Sequence, residues 1–356
     1  MPSNNTSKSN AIKAAQERIR SNKSCTDDVE ALAREIIDGK TEALARGITL
    51  IESNKAEDRP LSHELLNAIR EFGNPSSSQR IGITGIPGVG KSTFIEKLGI
   101  DLVDEGHRVA VLAVDPSSRR TGGSILGDKT RMEKLANSDN AFVRPSPAAD
   151  ALGGVARATM EAIILCEAAG YDRILVETVG VGQSETSVRE MVDVFALLLI
   201  GGAGDEVQGI KRGIVEMADL VVVHKADSGN ESICKDTASA YRSSLHLFPR
   251  PQGEHTVEVL TASSYTGDGH DDFRTKVQSL VDLWNENGYF STQRASQQVE
   301  RMKVHAMEIL MSTHMDSPGS QKIWDELKDG VERGEISAYS AAWSWAKSKK
   351  KWRLLG

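Results

Sequence analysis

The stretch Gly85-Ile86-Pro87-Gly88-Val89-Gly90-Lys91-Ser92 satisfies G-x-x-x-x-G-K-[ST] at every fixed position. Nothing else in the chain limits its fold so tightly. Glycines at 85, 88 and 90 allow a tight loop whose backbone N–H groups turn inward on a phosphate. The helix that follows adds the positive end of its dipole to the same anion. Lys91 brings a mobile positive charge for the β- and γ-phosphates, and the Ser92 hydroxyl is an oxygen ligand suited to Mg2+. Pro87, Val89 and Thr93 complete the segment expected to line a nucleotide. Such a loop needs a strand before it and a helix after it. Ile81-Gly82-Ile83-Thr84 reads as a buried strand, and Phe94, Ile95, Leu98 and Leu102 fall at helical spacing between Thr93 and Glu105.

The same strand, loop and helix alternation continues downstream. Apolar runs at Val109–Val114, Arg173–Val176, Val194–Ile200, Leu220–Val223 and Val257–Leu260 read as strands buried on both faces. The expected fold is α/β, a doubly wound, mostly parallel sheet of the P-loop NTPase class with helical N-terminal and C-terminal extensions. Residues 1–24, rich in Ser, Asn and Lys, are expected to be a disordered tail. Residues 25–79 carry helical stripes at Val29, Leu32 and Ile36, at Leu44, Ile48 and Ile51, and at Leu65, Leu66 and Ile69. The nucleotide domain is expected over 80–288 and a helical arm over 289–356. No strand is expected after Asp271. Trp284, Trp324, Trp343, Trp345 and Trp352 all fall in this last part, and read either as a small helical core or as an oligomer interface.

A net charge of −7 with 39% hydrophobic residues argues for nucleotide rather than nucleic acid as the ligand. No run of ~18 apolar residues and no signal-peptide core follow Met1, so neither a membrane span nor export by that route is expected. Cys25, Cys166 and Cys234 are scattered and suit a reducing compartment. The cytoplasm is expected, or the mitochondrial matrix in a eukaryotic cell, for which the basic tail leaves room as a transit peptide.

Ligands of open α/β sheets bind at the carboxyl ends of the strands. There Glu177 can hold Mg2+ or its water, while the Gly180 N–H senses the γ-phosphate. Asp115 and Asp128 are candidates for orienting the attacking water or completing the metal shell; a strand-end turn and a helix N-cap are their purely structural readings. The stretch His224-Lys225-Ala226-Asp227 is similar to the guanine-reading N-K-x-D element, with His where Asn is usual. In that element the Asp accepts from the guanine ring N–H and amine, and the Lys stem lies over the base. Adenine would leave the Asp unpaired, at a cost of a few kcal/mol (roughly).

These blocks, with Val114-Asp115-Pro116-Ser117-Ser118, Gly122–Met132, Glu177–Glu185 and Gly202-Ala203-Gly204-Asp205-Glu206, resemble the MeaB/ArgK group of P-loop GTPases. The likeness is strongest over 80–230. It implies a homodimeric, Mg2+-dependent enzyme that binds GTP and GDP. Its partner would be an adenosylcobalamin-dependent acyl-CoA mutase of the methylmalonyl-CoA type, whose cofactor loading and protection it would control. By matching position, Gly202 to Arg212 would form an extra switch with Asp205, Gln208 and Lys211 as its polar signalling residues. The Ala262 N–H would meet the guanine carbonyl, and the C-terminal helices would form the dimer arm. Three other readings stand beside it. A nickel-insertion GTPase needs thiol or imidazole ligands that do not occur near this loop. A kinase of the amino-acid (LAO/AO) transport type would gain from His224 but is opposed by Lys225 and Asp227. A scaffold that senses nucleotide without hydrolysing it is separated only by a phosphate-release assay.

Overall fold

The computed structural model describes residues 28–53, 55, 57–73, 77–114, 132–146, 154–178, 184–202, 212–246, 248 and 251–348. The tail over 1–24 lies outside them.

Parallel strands come from apolar runs, and the runs are where they were expected. Strands β1 (Gln79–Gly85), β2 (Val109–Val114), β3 (Ala141–Ser146), β4 (Arg173–Thr178), β5 (Val194–Ile200), β6 (Leu220–His224) and β7 (Glu258–Ala262) form one sheet. Its order is β3-β2-β4-β1-β5-β6-β7 and every pairing is parallel. Alternate side chains feed two cores. Ala110, Leu112, Ile174, Val176, Phe195 and Leu197 face the helices over 28–72 and Gly154–Ala168. Val109, Val111, Ile81, Ile83, Leu175 and Leu198 face the helices Lys91–Asp104 and His270–Glu286. The chain leaves β1 for β2 on one side and crosses back from β4 to β5 on the other. That reversal opens a crevice beside the carboxyl end of β1, where the Gly85–Ser92 loop begins.

β3 was not anticipated. Pro145 in its sequence argues against a strand, because proline cannot donate to a ladder. β3 is at the edge of the sheet and pairs only with β2, so the missing donor is tolerated. β7 also runs further than expected and includes Ala262. A helix at Ala338–Lys347, not singled out in the sequence, carries Trp343 and Trp345.

The chain divides into two compact units, Met1–Arg294 and Ala295–Gly356. Trp284 is fully buried in the first, beside Phe273 and Val281. In the second, Trp345 is buried against Trp324 and His314, while Trp343 is exposed. The tryptophans therefore serve two cores as well as the surface, with Trp352 outside the described residues. No helix among the described residues is long and apolar enough to cross a membrane.

Candidate functional site

The loop closes at Gly85 and Gly90. Both have positive φ, 151° and 96°, in the region that favours glycine. A Cβ at Gly85 would lie 2.5 Å from the Leu198 carbonyl oxygen, and one at Gly90 would lie 2.8 Å from His224 Cε1. Val89 is buried between them and anchors the loop, while Pro87, Gly88 and Thr93 are exposed. Gly90 precedes the first turn of the helix Lys91–Asp104, whose N-terminal N–H groups and dipole point back into the loop.

Lys91 is buried and lies across the concavity, its Nζ donating to the Gly85 carbonyl at 2.7 Å and to that of Ile86 at 3.2 Å. Burial lowers its pKa, and the carboxylates of Glu177 and Glu185 pull it back up. Ser92 Oγ donates to Glu177 Oε1 at 2.9 Å. Glu177 is buried near the end of β4, opposite Ile83 of β1 and Ala113 of β2. Next to it, Thr178 Oγ1 donates to Thr84 Oγ1 at 2.9 Å, tying β4 to the strand that enters the loop. A hydroxyl and a buried carboxylate, both hard oxygen donors, held together beside the loop fit Mg2+. The described residues contain no group of three or more His, Cys, Asp or Glu that could hold a metal ion.

The segment His224–Asp227 meets the loop directly. His224 ends β6 and is buried, and its Nδ1–H donates to the Val89 carbonyl at 2.8 Å. Lys225 follows with φ 63°, a left-handed conformation costly for a residue with a side chain. The turn brings Lys225 Nζ to the Gly88 carbonyl at 2.8 Å. Asp227 is held by the Ser263 hydroxyl, which donates to Oδ2. That bond, then one from Ser228, keeps the Asp227 carboxyl below its usual range, so it stays an acceptor. Ser263 Oγ in turn accepts from the N–H groups of Tyr265 and Thr266. Ala262 is buried and opposite His224 in the ladder, and its carbonyl accepts the Ala226 N–H.

Thus Lys91, Ser92, Glu177, His224 and Lys225 meet at one loop, and Asp227 stands two residues beyond Lys225, held by Ser263. Gly202 follows β5 with φ 80° and donates its N–H to Thr237 Oγ1 at 3.1 Å. Asp115, Asp128, Gly180, Asp205, Gln208 and Lys211 lie outside the described residues. Sequence reasoning missed Ser263 and Ser264. Their signal was weak: two serines after a strand are ordinary turn residues.

Comparison with known proteins shows the family. Residues 44–318 match the family described as Methylmalonyl Co-A mutase-associated GTPase MeaB. The GTPase ArgK of Escherichia coli is 44% identical over 280 residues, 78% of this chain and 84% of that protein. The mitochondrial methylmalonic aciduria type A homolog of Caenorhabditis elegans is 40% identical over 88% of this chain and 81% of its own length. Among solved structures, one described as a LAO/AO transport system kinase superposes with a TM-score of 0.67 at 33% identity, covering 90% of this chain and 97% of its own. The chain belongs to the MeaB family of methylmalonyl-CoA mutase-associated GTPases.

Proposed function

We propose that this chain is a slow, Mg2+-dependent GTP hydrolase that serves as a chaperone for an adenosylcobalamin-dependent acyl-CoA mutase. The observation that carries the reading is the direct joining of a phosphate loop to a base-reading segment through Lys225–Gly88 and His224–Val89. The link holds the phosphate loop against the segment proposed to read guanine. The family's description supports the class of partner.

In this reading Ser92 would hold Mg2+ with Glu177 beside it. The ion would withdraw charge from the β- and γ-phosphate oxygens. The loop N–H groups and Lys91 bind the phosphates and offset the charge that builds on the leaving group. Lys91 suits this role because its ammonium is already desolvated and held by two carbonyls, which phosphate oxygens can replace. Asp227 reads the guanine N–H and amine, the Lys225 stem covers the base, and the backbone at Ala262 meets the guanine carbonyl. Asp115 and Asp128 are proposed to orient water or complete the metal shell, and Gly180 to sense the γ-phosphate. The Gly202–Arg212 segment, with Asp205, Gln208 and Lys211, is proposed to carry the nucleotide state to the mutase.

The helix Tyr289–Met315 exposes Met302, Ile309, Leu310 and Met311, which supports its part in a homodimer arm. The cytoplasm is the proposed compartment, or the mitochondrial matrix; the Caenorhabditis elegans relative is named as mitochondrial.

The test is steady-state phosphate release from GTP and from ATP, with and without the adenosylcobalamin mutase encoded in the same genome. GTP-selective turnover that rises with the mutase is expected. Preference for ATP would favour the kinase reading. Binding without turnover, even with the mutase present, would favour the scaffold.

A further inference from the structure

A cavity of about 270 Å3 opens towards the other end of the strands from the phosphate loop. The loop leaves the carboxyl end of β1, whereas the cavity is lined by Gln79, the first residue of β1, by Arg173, the first of β4, and by His107, just before β2. Its floor is apolar and buried: Ile81, Leu98, Leu102, Phe273 and Val277. Leu98 and Leu102 belong to the helix Lys91–Asp104, and Phe273 and Val277 to the helix His270–Glu286. The cavity therefore lies where these two helices part over β1.

The ionic groups at its rim cancel one another. Arg274 meets three carboxylates: Nη1 donates to Asp101 Oδ2 at 3.0 Å, Nη2 to Asp271 Oδ1 at 2.6 Å, and Nε lies 3.0 Å from Glu105 Oε1. No charge on it is left for a ligand. Arg173 Nη1 donates to the Asp172 carbonyl at 3.0 Å and to Asp172 Oδ2 at 3.1 Å. Its Nη2 donates to His107 Nε2 at 3.2 Å, since a guanidinium has no acceptor, and His107 Nδ1–H donates to Asp172 Oδ2 at 2.7 Å. Nε and the second hydrogen of Nη2 find no acceptor among the described residues. The Arg173 side chain is only 13% exposed, and burial is the first cause holding its pKa below the ordinary arginine value. Two desolvated donors are thus left over.

An acceptor is left over beside them. Gln79 is the ladder partner of Arg173, so the two side chains stand on one face of the sheet, their backbones roughly 5 Å apart. A carboxylate fixes the direction of the Gln79 amide. Asp282 Oδ1 accepts from Gln278 Nε2 at 2.8 Å, which turns the Gln278 oxygen to Gln79, whose Nε2 donates to it at 2.8 Å. Gln79 is buried, and its Oε1, turned away from Gln278, accepts from no described residue.

We propose that this cavity binds a neutral, flat small molecule of the cyclic-amide class, whose carbonyl accepts from Arg173, whose adjacent N–H donates to Gln79 Oε1 and whose rings lie on the apolar floor. Cancelled rim charges disfavour an ion. A carboxylate would suit Arg173 but set an oxygen against Gln79 Oε1, and an ammonium would suit Gln79 but repel the guanidinium. Filled to a protein-like density of about 0.74, the cavity takes roughly 200 Å3 of ligand, enough for fused rings. The site is separate from the phosphate loop, and the inference does not depend on which nucleotide that loop binds.

The experiment is calorimetric titration of the full chain with carbostyril, a fused-ring lactam, and with N-methylcarbostyril, which keeps the carbonyl and loses the N–H. Each is run with and without GDP and Mg2+, on the unsubstituted protein and on Gln79→Met, Arg173→Met and Val277→Phe. Saturable carbostyril binding is expected, with N-methylcarbostyril about fivefold weaker for one lost hydrogen bond. Gln79→Met should weaken carbostyril about fivefold and erase the preference between the two probes, which loss of packing alone would not do. Arg173→Met, which removes a charged donor, should weaken both about tenfold, and Val277→Phe, which fills the cavity, should abolish binding. GDP should leave probe affinity unchanged. If Val277→Phe does not fold, the comparison of probes on Gln79→Met carries the test. No saturable binding, equal affinity for both probes in the unsubstituted chain, binding that survives a folded Val277→Phe, or displacement of carbostyril by GDP would each overturn the inference.

Discussion

Arg294→Met should be among the most destabilising single substitutions in this chain, although Arg294 is far from the phosphate loop in sequence. Arg294 Nε donates to Asp193 Oδ1 and Nη2 to Asp193 Oδ2, both at 2.8 Å, and Nη2 also reaches the Ser78 carbonyl at 2.8 Å. Asp193 is fully buried where the chain enters β5, and its other recorded donor is the Arg80 N–H at 2.8 Å. The guanidinium is therefore the countercharge of a carboxylate that water does not reach. Breaking a buried pair by removing one partner costs about 3–5 kcal/mol, chiefly from the charge left behind. The Arg294 side chain is 22% exposed, so some water can follow its removal, and about 3 kcal/mol is expected. That is a large share of a domain stability of roughly 5–15 kcal/mol. Equilibrium urea unfolding followed by circular dichroism measures it as a lowered midpoint at unchanged slope. Adding Asp193→Asn removes the stranded charge while keeping an acceptor for the Arg80 N–H, and should restore at least half the loss. A loss below ~1 kcal/mol in Arg294→Met, or a double variant no more stable than the single one, would refute the reasoning.

Further outcomes follow from packing, titration and the loop. Gly253→Ala would place a methyl group 2.3 Å from Nε1 of the buried Trp284, itself held between His255 and Tyr289; the overpacking should cost about 1–3 kcal/mol in thermal or urea unfolding, and an unchanged midpoint would exclude it. Burial pushes His270 down from 6.5 to about 4, so the native state favours the neutral ring. Its contribution is complete above about pH 6.5 and is lost as pH falls towards 4, up to ~3 kcal/mol in all; His270→Gln should flatten that part of the stability profile, and a profile identical to the unsubstituted chain's would show that His270 does not supply it. Lys91→Ala should abolish measurable GTP binding in a fluorescence titration while leaving the chain folded, and undiminished affinity would overturn the assignment of the loop.

The parts of this protein that were legible in its sequence are those whose physics is local. A phosphate loop needs glycines, a lysine and a hydroxyl within a few residues, and Gly85–Ser92 carries them in one contiguous stretch. Strands buried on both faces need unbroken apolar runs, and those runs announced the parallel sheet except at β3, where an edge position excused a proline. Glu177 was singled out because it follows such a run, and Asp227 because His224-Lys225-Ala226-Asp227 is similar to a guanine-reading element. The tertiary structure alone decided what required distant residues to meet. His224 looked like a departure from a pattern until β6 and β7 brought it between Val89 and Ser264, 135 positions before it and 40 after. Asp193 and Arg294, 101 positions apart, have no sequence signature as a pair. Burial turns an ordinary aspartate and an ordinary arginine into a clamp, and burial is a property of the packed chain rather than of any stretch of it.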